Sequence, residues 1–355
     1  MGKDKCQMSN VKCQNYKKIL LMRLDRVGDV VLSTPAIKAT RDAYPDSYIV
    51  FMVRPHAYDI IRGNPYVDEV IACDKEKGVR GFFGIWRLAM RVRRYAFDLA
   101  VVLHPTTRSH LIVFLSGIAE RIGYDKKAGW LLTRQVPHTK QFGLRHERDY
   151  ALDLLRYARI EAKECLLHVP IHHEREVTVD AFFRRNNIAH GERVIVIHPG
   201  ASCPSKRWPP ERFAQVADAC AEKYRARIVI IAGPEDTSCG RKVALLMQRD
   251  HVDLSGMTVI GDLASIFKRA QLFISNDSGP VHIASAVGVP VISIFGRSDR
   301  GLSPARWGPT GERDIALHKD VGCDVCLAHN CARGFECLRA ITVDDVLAAA
   351  AKILG

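Results

Sequence analysis

The segment QLFISNDSGPVHIASAVGVPVISIFG, residues 271–296, carries the most informative sequence pattern for the fold class. Short apolar runs over 271–275 and 289–295 predict two strands, and the segment 280–287 between them predicts a helix. Gly288 lies where a helix commonly ends, because glycine readily adopts the left-handed conformation of a C-terminal cap. A strand, a helix and a second strand in this order predict a right-handed βαβ unit in a parallel sheet.

The same alternation extends through the rest of the chain. Apolar runs predict further strands over 17–24, 47–53 and 98–103 in the first half, and over 193–197 and 227–231 in the second. Segments with helical spacing lie between these runs, so the chain contains two successive series of βαβ units. The predicted fold class is therefore α/β, with two Rossmann-like doubly wound domains that face each other across a cleft.

The length of 355 residues also favours two domains. The charged, histidine-containing segment over 169–179 is the predicted linker, with a helix that starts near its end. We therefore expect domains over 1–172 and 173–340, and a C-terminal helix over 341–355 that packs back on the first domain.

The composition is that of a globular protein without a membrane span. Hydrophobic residues make up 47% and charged residues 26% of the chain, and no apolar stretch approaches the ~20 residues that cross a bilayer. The N-terminal stretch is polar and lacks a secretory signal, so we expect a cytoplasmic protein, with peripheral membrane contact as an option. The net charge of +13 favours an anionic partner, although a generally basic proteome would also account for it.

The segment 276–282 combines features of a phosphate site. Ser278 suits the N-terminal cap of the following helix and Pro280 suits its first turn. A helix N-terminus at the carboxyl edge of a sheet binds phosphate through its free N–H groups and its dipole. An ordinary capping turn is the alternative, but such a turn requires neither of the polar neighbours at 277 and 282. The predicted ligand-binding residues of this segment are Asp277, Ser278, Gly279 and His282.

Two further loops in the second half follow predicted strands. Ser202 lies among small residues that allow a ligand to approach the backbone, and Lys206 and Arg207 precede a helix N-terminus. Cations at that end oppose the helix dipole, so they are better placed if they face an anion such as a diphosphate, the alternative being a solvated basic loop. Glu235 follows the next strand and could accept hydrogen bonds from a ribose or a base.

The first strand of the chain is followed by Arg26-Val27-Gly28-Asp29. Gly28 permits a tight turn between the strand and the next helix. Asp29 either favours the helix N-terminus electrostatically or acts as a general base that the strand presents at the cleft.

Four segments in this order resemble the ADP-heptose:lipopolysaccharide heptosyltransferases, which form glycosyltransferase family 9, and the heptosyltransferase II-like members in particular. The segments are RLDRVGDVVLSTPAIKATRDAYP, HPGASCPSKRWP, IIAGPEDT and NDSGPVHIASAVGVPVISIFG. The resemblance covers roughly residues 17 to 354. It implies the two-domain fold called GT-B, with an acceptor-binding first domain and a nucleotide-sugar-binding second domain.

The resemblance also implies an inverting transfer of heptose from ADP-heptose to the inner core of lipopolysaccharide. On this reading Asp29 is the catalytic base, Lys206 contacts donor phosphate and Glu235 lies near the adenosine. Asp277, Ser278, Gly279 and His282 match the family's D-[ST]-G-x-x-H donor motif, and Gly28 and Ser202 complete the expected donor site. No cofactor is required for catalysis, which is metal-independent. The alternative function is transfer from another nucleotide sugar to a different lipid-linked or core acceptor.

The acceptor implied by the resemblance is of the lipid A–Kdo type, which carries carboxylates and phosphates. Arg87, Arg91 and Arg94 lie on one face of a predicted helix over 84–95, where they could bind such an acceptor or anionic lipid of the inner membrane, or simply be solvated. Arg121 and His146 are further acceptor-side expectations.

Four cysteines form a compact cluster before the last predicted helix. Reduced structural thiols, a structural zinc ion, and a disulfide or an iron–sulfur site all remain open for it. The cluster consists of Cys323, Cys326, Cys331 and Cys337.

Two other function classes are disfavoured by the sequence. An NAD-dependent epimerase or dehydrogenase should carry G-x-G-x-x-G after the first strand, where the chain reads Asp25-Arg26-Val27-Gly28-Asp29. A nucleic-acid-binding protein should carry a recognisable motif or a concentrated basic patch, whereas the basic residues here are dispersed. We therefore expect no nucleic-acid partner.

Overall fold

The computed structural model consists of two parallel β-sheets, each covered by helices. The residues that it describes are 16–74, 81–162, 166–323, 325–326 and 328–355. Most of the polar N-terminal stretch, on which the expectation of no leader rests, lies outside the described residues.

The first sheet has the strand order β3-β2-β1-β4-β5-β6, and every neighbouring pair is parallel. Its central strands are fully buried, which explains their near-continuous apolar sequences. Its strands are β1 Lys18–Arg23, β2 Tyr48–Val53, β3 Glu69–Ala72, β4 Leu99–Val102, β5 Glu120–Tyr124 and β6 Arg134–Val136.

The second sheet repeats this plan. The strand order of this sheet is β12-β11-β10-β7-β8-β9. Read from β9 to β12, it is the order of the first sheet, with β7 in the place of β1. Its strands are β7 Val194–His198, β8 Arg227–Ile230, β9 His251–Asp253, β10 Leu272–Asn276, β11 Val291–Phe295 and β12 Ile315–His318. In both sheets the chain changes direction beside the first strand, between β1 and β4 and between β7 and β10, and ligands of such sheets bind outside the strand ends at this point.

Helices connect the strands on both faces of each sheet. Those of the first half are α1 Val27–Val31, α2 Thr34–Ala43, α3 Tyr58–Ile61, α4 Gly81–Arg93, α5 Thr107–Leu115 and α6 Glu147–Tyr157. Those of the second half are α7 His173–Arg185, α8 Pro210–Tyr224, α9 Thr237–Leu246, α10 Ile260–Lys268, α11 Gly279–Ala286, α12 Pro304–Trp307, α13 Glu336–Ala340 and α14 Val343–Leu354.

Two separate helices, α1 and α2, connect β1 to β2. Pro35 lies in the first turn of α2 and lacks an N–H group, so it cannot continue the hydrogen bonds of α1. The hydroxyl of Thr34 instead donates to the carbonyl of Val31 at 2.7 Å. The division places Asp29 in a separate single turn directly after β1.

The expectation that the C-terminal helix returns to the first domain is wrong. Helix α14 packs against α8 and against strands β10 to β12, all in the second half. Its buried residues Val346, Ala349 and Ala350 belong to the apolar cluster of that half, so the end of the chain completes the second core.

An apolar core runs beneath the cleft from one half to the other. It includes Val27 and Val30 of α1 together with Ile266 of α10 and Val281 and Ile283 of α11. Helices α1 and α11 are therefore packed directly against each other. Among the described residues, no helix combines the length and the apolar character needed to cross a bilayer.

Candidate active site

The carboxyl end of β1 presents a buried pair of opposite charges to the cleft. Arg23 is the last residue of β1, and Asp29 lies in the first turn of α1. Nη2 of Arg23 donates to Oδ1 of Asp29 at 2.5 Å. Burial raises the pKa of Asp29 to about 6, although Arg23 opposes the shift. Asp29 is thus ionised at neutral pH and more basic than an ordinary aspartate, as a general base needs to be.

Arg23 holds three carboxylates through one nitrogen. Besides Asp29, its Nη2 approaches Oε1 of Glu147 at 3.1 Å and Oδ2 of Asp25 at 3.4 Å. Burial alone would lower the pKa of Arg23, but Asp29, Glu147 and Asp25 raise it above its ordinary value. The guanidinium is therefore permanently charged, and it fixes the position of the Asp29 carboxylate.

The pKa of Asp25 is shifted in the opposite direction to that of Asp29, although both carboxylates contact Arg23. Burial raises its pKa, but a hydrogen bond from His104 and the charge of Arg23 outweigh burial and hold the pKa below its usual range. Nδ1 of His104 lies 2.9 Å from Oδ2 of Asp25. Asp25 is therefore a poor proton acceptor, and Asp29 is the basic member of the two.

Glu147, at the start of α6, links this cluster to two more cations. Lys140 Nζ lies 2.5 Å from Oε1 of Glu147, and Nη2 of Arg306 lies 2.7 Å from Oε2. Burial raises the pKa of Glu147, but Lys140, Arg23 and Arg306 outweigh burial and keep it ionised. Burial lowers the pKa of Lys140 to about 8. Since Arg306 belongs to α12 of the second half, the cluster spans the cleft.

The second half supplies an anion-binding arrangement at the end of β10. Oδ2 of Asp277 contacts Nζ of Lys206 at 2.7 Å and Nη2 of Arg297 at 3.0 Å. Two cations therefore share one carboxylate, which leaves an excess positive charge beside the N-terminus of α11. Arg297 follows β11, is buried and has a φ of +63°, a conformation that arginine rarely adopts.

A buried amide fixes the loop that carries Lys206. The side chain of Asn276, the last residue of β10, accepts a hydrogen bond from Trp208 N at 3.0 Å and donates to Pro199 O at 2.7 Å. This pair of bonds ties the loop after β7 to the end of β10. Lys206 is thereby placed next to the N-terminus of α11.

The start of α11 has no side-chain cap. Ser278 occupies the cap position, but its hydroxyl lies 3.0 Å from Oγ of Ser275 and 3.3 Å from Nδ1 of His198. Burial lowers the pKa of His198 to about 4, so this contact is between neutral groups. The backbone N–H groups of the helix start therefore remain oriented toward the cleft.

The two halves approach each other closely at two glycines, Gly28 and Gly279. A Cβ atom on Gly28 would lie 2.9 Å from Cδ2 of His282 and 3.2 Å from Cα of Gly279. Gly28 precedes Asp29, and Gly279 begins α11. The absence of side chains at both positions therefore lets the turn that carries Asp29 approach the N-terminus of α11.

His282 is buried in α11 against Gly28. Burial, together with the nearby charges of His146 and Lys206, lowers its pKa to about 3. His282 is therefore neutral at physiological pH. Its Nδ1 atom is buried and has no hydrogen-bond partner among the described residues.

Other predicted donor residues lie at the rim. Glu235 and Ser202 are exposed in the loops after β8 and β7. Arg207 turns away from the anion site, since its Nη2 lies 3.0 Å from Oδ1 of Asp236 and its Nε donates to Ala201 O at 2.9 Å. The expectation that Arg207 faces the same anion as Lys206 is therefore wrong.

Two predicted acceptor residues are held inside the protein. The ring of His146 accepts from Arg148 N at 3.3 Å through Nδ1 and donates from Nε2 to Gly308 O of the second half at 2.9 Å. Arg121 lies near the amino end of β5, and its guanidinium donates to the carbonyls of Leu131 and Ile118. Since Asp29 lies beyond the carboxyl end of β1, Arg121 lies at the opposite edge of the sheet from the site, and its placement at the acceptor site is wrong.

The other predicted acceptor residues, Arg87, Arg91 and Arg94, are exposed on or just after α4. The helix predicted over 84–95 is observed as Gly81–Arg93, so Arg94 lies just beyond its end. Their role in acceptor binding stays a prediction.

The four clustered cysteines are partly buried in the segment between β12 and α14. Sγ of Cys323 accepts from Nη1 of Arg333 at 3.6 Å, and Sγ of Cys331 accepts from Phe335 N at 3.4 Å. Within the described ranges, no group of three or more histidine, cysteine, aspartate or glutamate side chains is arranged to hold a metal ion. The described thiols therefore do not supply a metal site as arranged, and zinc binding stays a prediction that metal analysis of anaerobically purified protein would check.

Sequence reasoning missed Lys140, Arg297 and Arg306. The one local signal was Arg23, a charged residue at the end of an otherwise apolar strand. Arg306 contacts a partner that lies far away along the chain, and no local motif marks Lys140 or Arg297.

Known proteins are similar to this chain over most of its length. Lipopolysaccharide heptosyltransferase 3 from Escherichia coli is 28% identical over 343 residues, which cover 92% of this chain and 96% of that protein. A glycosyl transferase family 9 structure from Veillonella parvula DSM 2008 is 26% identical, with a TM-score of 0.87 over 97% of this chain and 99% of that chain. The structure of E. coli ADP-heptose heptosyltransferase II is 20% identical, with a TM-score of 0.78 over 95% of this chain and 98% of that chain.

The predicted GT-B fold is confirmed by these structural matches. Residues 85–335, well over half of the chain, match the profile of glycosyltransferase family 9 (heptosyltransferase). The chain therefore belongs to glycosyltransferase family 9, the heptosyltransferase family, and is a glycosyltransferase.

Proposed function

We propose that the protein transfers heptose from ADP-heptose to the inner core of lipopolysaccharide, with inversion at the anomeric carbon and Asp29 as the general base. Family membership and the lipopolysaccharide heptosyltransferase 3 relative support the reaction class. The single observation that carries the mechanism is the contact of Gly28 with Gly279 and His282. It brings the base of one half to the phosphate-binding helix of the other.

The transfer proceeds in one displacement. The oxygen of an acceptor hydroxyl attacks the anomeric carbon, and its proton moves to the carboxylate of Asp29. The bond from the anomeric carbon to the phosphate oxygen breaks at the same time, and ADP leaves with the electron pair. Attack from the face opposite to the leaving group inverts the configuration.

Lys206, Arg297 and the N-terminus of α11 stabilise the departing diphosphate. Asp277 neutralises one of the two cations, and the remaining charge together with the helix dipole faces the phosphates. We propose that this arrangement makes a bound metal unnecessary for the transfer. Neutral His282 adds a hydrogen bond without altering the charge of the site.

The lipid-linked acceptor places the reaction at a membrane surface. We propose that the enzyme works at the cytoplasmic face of the inner membrane and contacts it peripherally. The acceptor is of the lipid A–Kdo type, and the exposed arginines of α4 are on its side of the molecule.

The test is release of ADP from ADP-heptose by the full chain with a Kdo–lipid A acceptor. Asp29→Asn removes the base while preserving its shape, and turnover should fall between about a hundredfold and ten-thousandfold with ADP-heptose affinity retained. Asp25→Asn is the matched control, because Asp25 has the same partner in Arg23 but a lowered pKa. Its turnover should change far less.

Near-normal turnover of Asp29→Asn would refute the base assignment. Assays with other nucleotide sugars test the alternative donor. If kcat/KM is higher with one of them than with ADP-heptose, that sugar and not heptose is the one transferred. Turnover that disappears with EDTA would contradict metal independence.

A further inference from the structure

Helix α4 has two apolar sides, and only one of them is covered. Its buried residues Leu88 and Val92 belong to the core cluster between α4, α5 and the first sheet. On the other side Phe82 is 61%, Phe83 84% and Trp86 49% exposed. Large aromatic side chains that are grouped and exposed mark a binding surface more often than scattered ones do.

The same outward side is strongly basic. The sequence over 81–94, GFFGIWRLAMRVRR, contains four arginines and no acidic residue. The arginines Arg87, Arg91, Arg93 and Arg94 are all exposed. We define the α4 face as these arginines together with Phe82, Phe83 and Trp86.

The aromatic end of the α4 face lies on the active-site side of the molecule. Helix α4 follows β3 and precedes β4, and both strands are parallel to β1. The helix therefore starts at the carboxyl edge of the sheet, which is the edge where Asp29 follows β1. Phe82 and Phe83, in the first turn, lie toward the edge from which an acceptor enters.

We propose that the α4 face docks on an anionic lipid bilayer, with the aromatic rings inserted at the headgroup level and the arginines against lipid phosphates. A helix with aromatic residues and arginines on its exposed side binds membrane interfaces in two ways. It buries apolar surface in the interface, and its charges attract anionic lipid. A second copy of the chain fits poorly, because a symmetric contact would bring like charges together. The proposal rests on the proposed function, since it supplies the membrane contact that a lipid-linked acceptor requires.

The experiment is flotation of the full chain with vesicles of phosphatidylcholine alone or mixed with phosphatidylglycerol. Wild-type protein should float only with the anionic vesicles, and added salt should weaken binding because it screens the arginines. The double variant Phe82→Ser, Phe83→Ser should lose at least about tenfold in partitioning. Leu245→Ser is the matched control, because Leu245 is an apolar residue of α9 that is 85% exposed and lies outside the α4 face.

A second measurement does not depend on these variants. Vesicles with brominated acyl chains should quench the fluorescence of wild-type protein, and Trp86→Phe should remove most of this quenching. The proposal is overturned if wild-type protein does not bind anionic vesicles, if Leu245→Ser loses as much binding as the double variant, or if Trp86→Phe keeps full quenching. A dimer in solution that the double variant dissociates would also overturn it, in favour of a second copy.

Turnover with a delipidated, water-soluble core acceptor separates this proposal from the proposed function. The double variant should keep wild-type turnover on that acceptor. If it loses turnover while vesicle binding is intact, the α4 face is an acceptor subsite and the docking proposal is wrong. If wild-type protein binds vesicles through α4 but transfers no heptose, the proposed function fails and the docking surface stands.

Discussion

Arg306 of the second half donates from both Nε and Nη2 to Oε2 of Glu147 in the first half, at 3.0 and 2.7 Å. Glu147 in turn shares Arg23 with Asp29. Arg306 of the second half is therefore connected to Asp29 of the first by a chain of charged contacts.

Glu147→Gln should destabilise the protein by about 3 kcal/mol or more, because it leaves three buried or nearly buried cations with too little negative charge. The pKa of Glu147 in the folded protein is below its ordinary value, so its contribution is present at neutral pH and is lost only as the pH falls through that lowered value. Urea unfolding at pH 7 measures the difference. Glu192→Gln, which removes the half-exposed partner of Arg227, is the control and should cost about 1 kcal/mol or less. Equal costs for the two variants would contradict the prediction.

The pH profile of kcat/KM should show an acid limb near pH 6. Asp29 with a pKa of about 6 is protonated below that value and can no longer accept a proton. Asp25→Asn should move the limb to lower pH, because the charge of Asp25 contributes to raising the pKa of Asp29. A limb near pH 4 in wild-type protein, or a shift to higher pH in the variant, would show that Asp29 is not the titrating group.

Gly28→Ala should lower kcat/KM between about tenfold and a hundredfold, because the added methyl group meets His282 and Gly279 and holds the halves apart. The melting temperature should hardly change. Gly233→Ala is the matched control, since a Cβ atom there meets nothing within 4 Å and its φ is −68°. If Gly28→Ala turned over normally, close approach at this point would be unnecessary for transfer.

Lys206→Gln and Arg297→Gln should each weaken ADP binding by about tenfold or more, because each removes a charged hydrogen bond to the diphosphate. Calorimetric titration with ADP measures the loss. Arg207→Gln should have a smaller effect, since Arg207 pairs with Asp236 instead. A larger loss in Arg207→Gln than in Lys206→Gln would place the diphosphate elsewhere.

Local patterns predicted the elements that carry the motifs. The runs at 17–24 and 271–275 correspond to the buried central strands β1 and β10, and Asp29 and Asp277 follow the carboxyl ends of these strands. The three-residue strands β6 and β9 at the sheet edges were missed, because three residues are too few to show the two-residue alternation of a strand.

The charged cluster could not be predicted in the same way. Glu147 meets Arg23 across more than a hundred residues, and Arg306 reaches Glu147 from the other half. Lys140 joins the cluster through Glu147. Such contacts depend on how the helices pack, so they produce no recognisable residue spacing in the sequence. Arg297 was missed because a buried arginine in a left-handed conformation looks like an ordinary loop residue in the sequence.

The contact of Arg306 with Glu147 also favours the closed cleft electrostatically. In the closed protein Arg23, Lys140 and Arg306 balance Asp25, Asp29 and Glu147. Opening removes Arg306 and leaves the first half with an uncompensated negative charge, while the second half gains a positive one. We therefore expect the separated halves to attract each other, and we expect this attraction to weaken as the ionic strength rises.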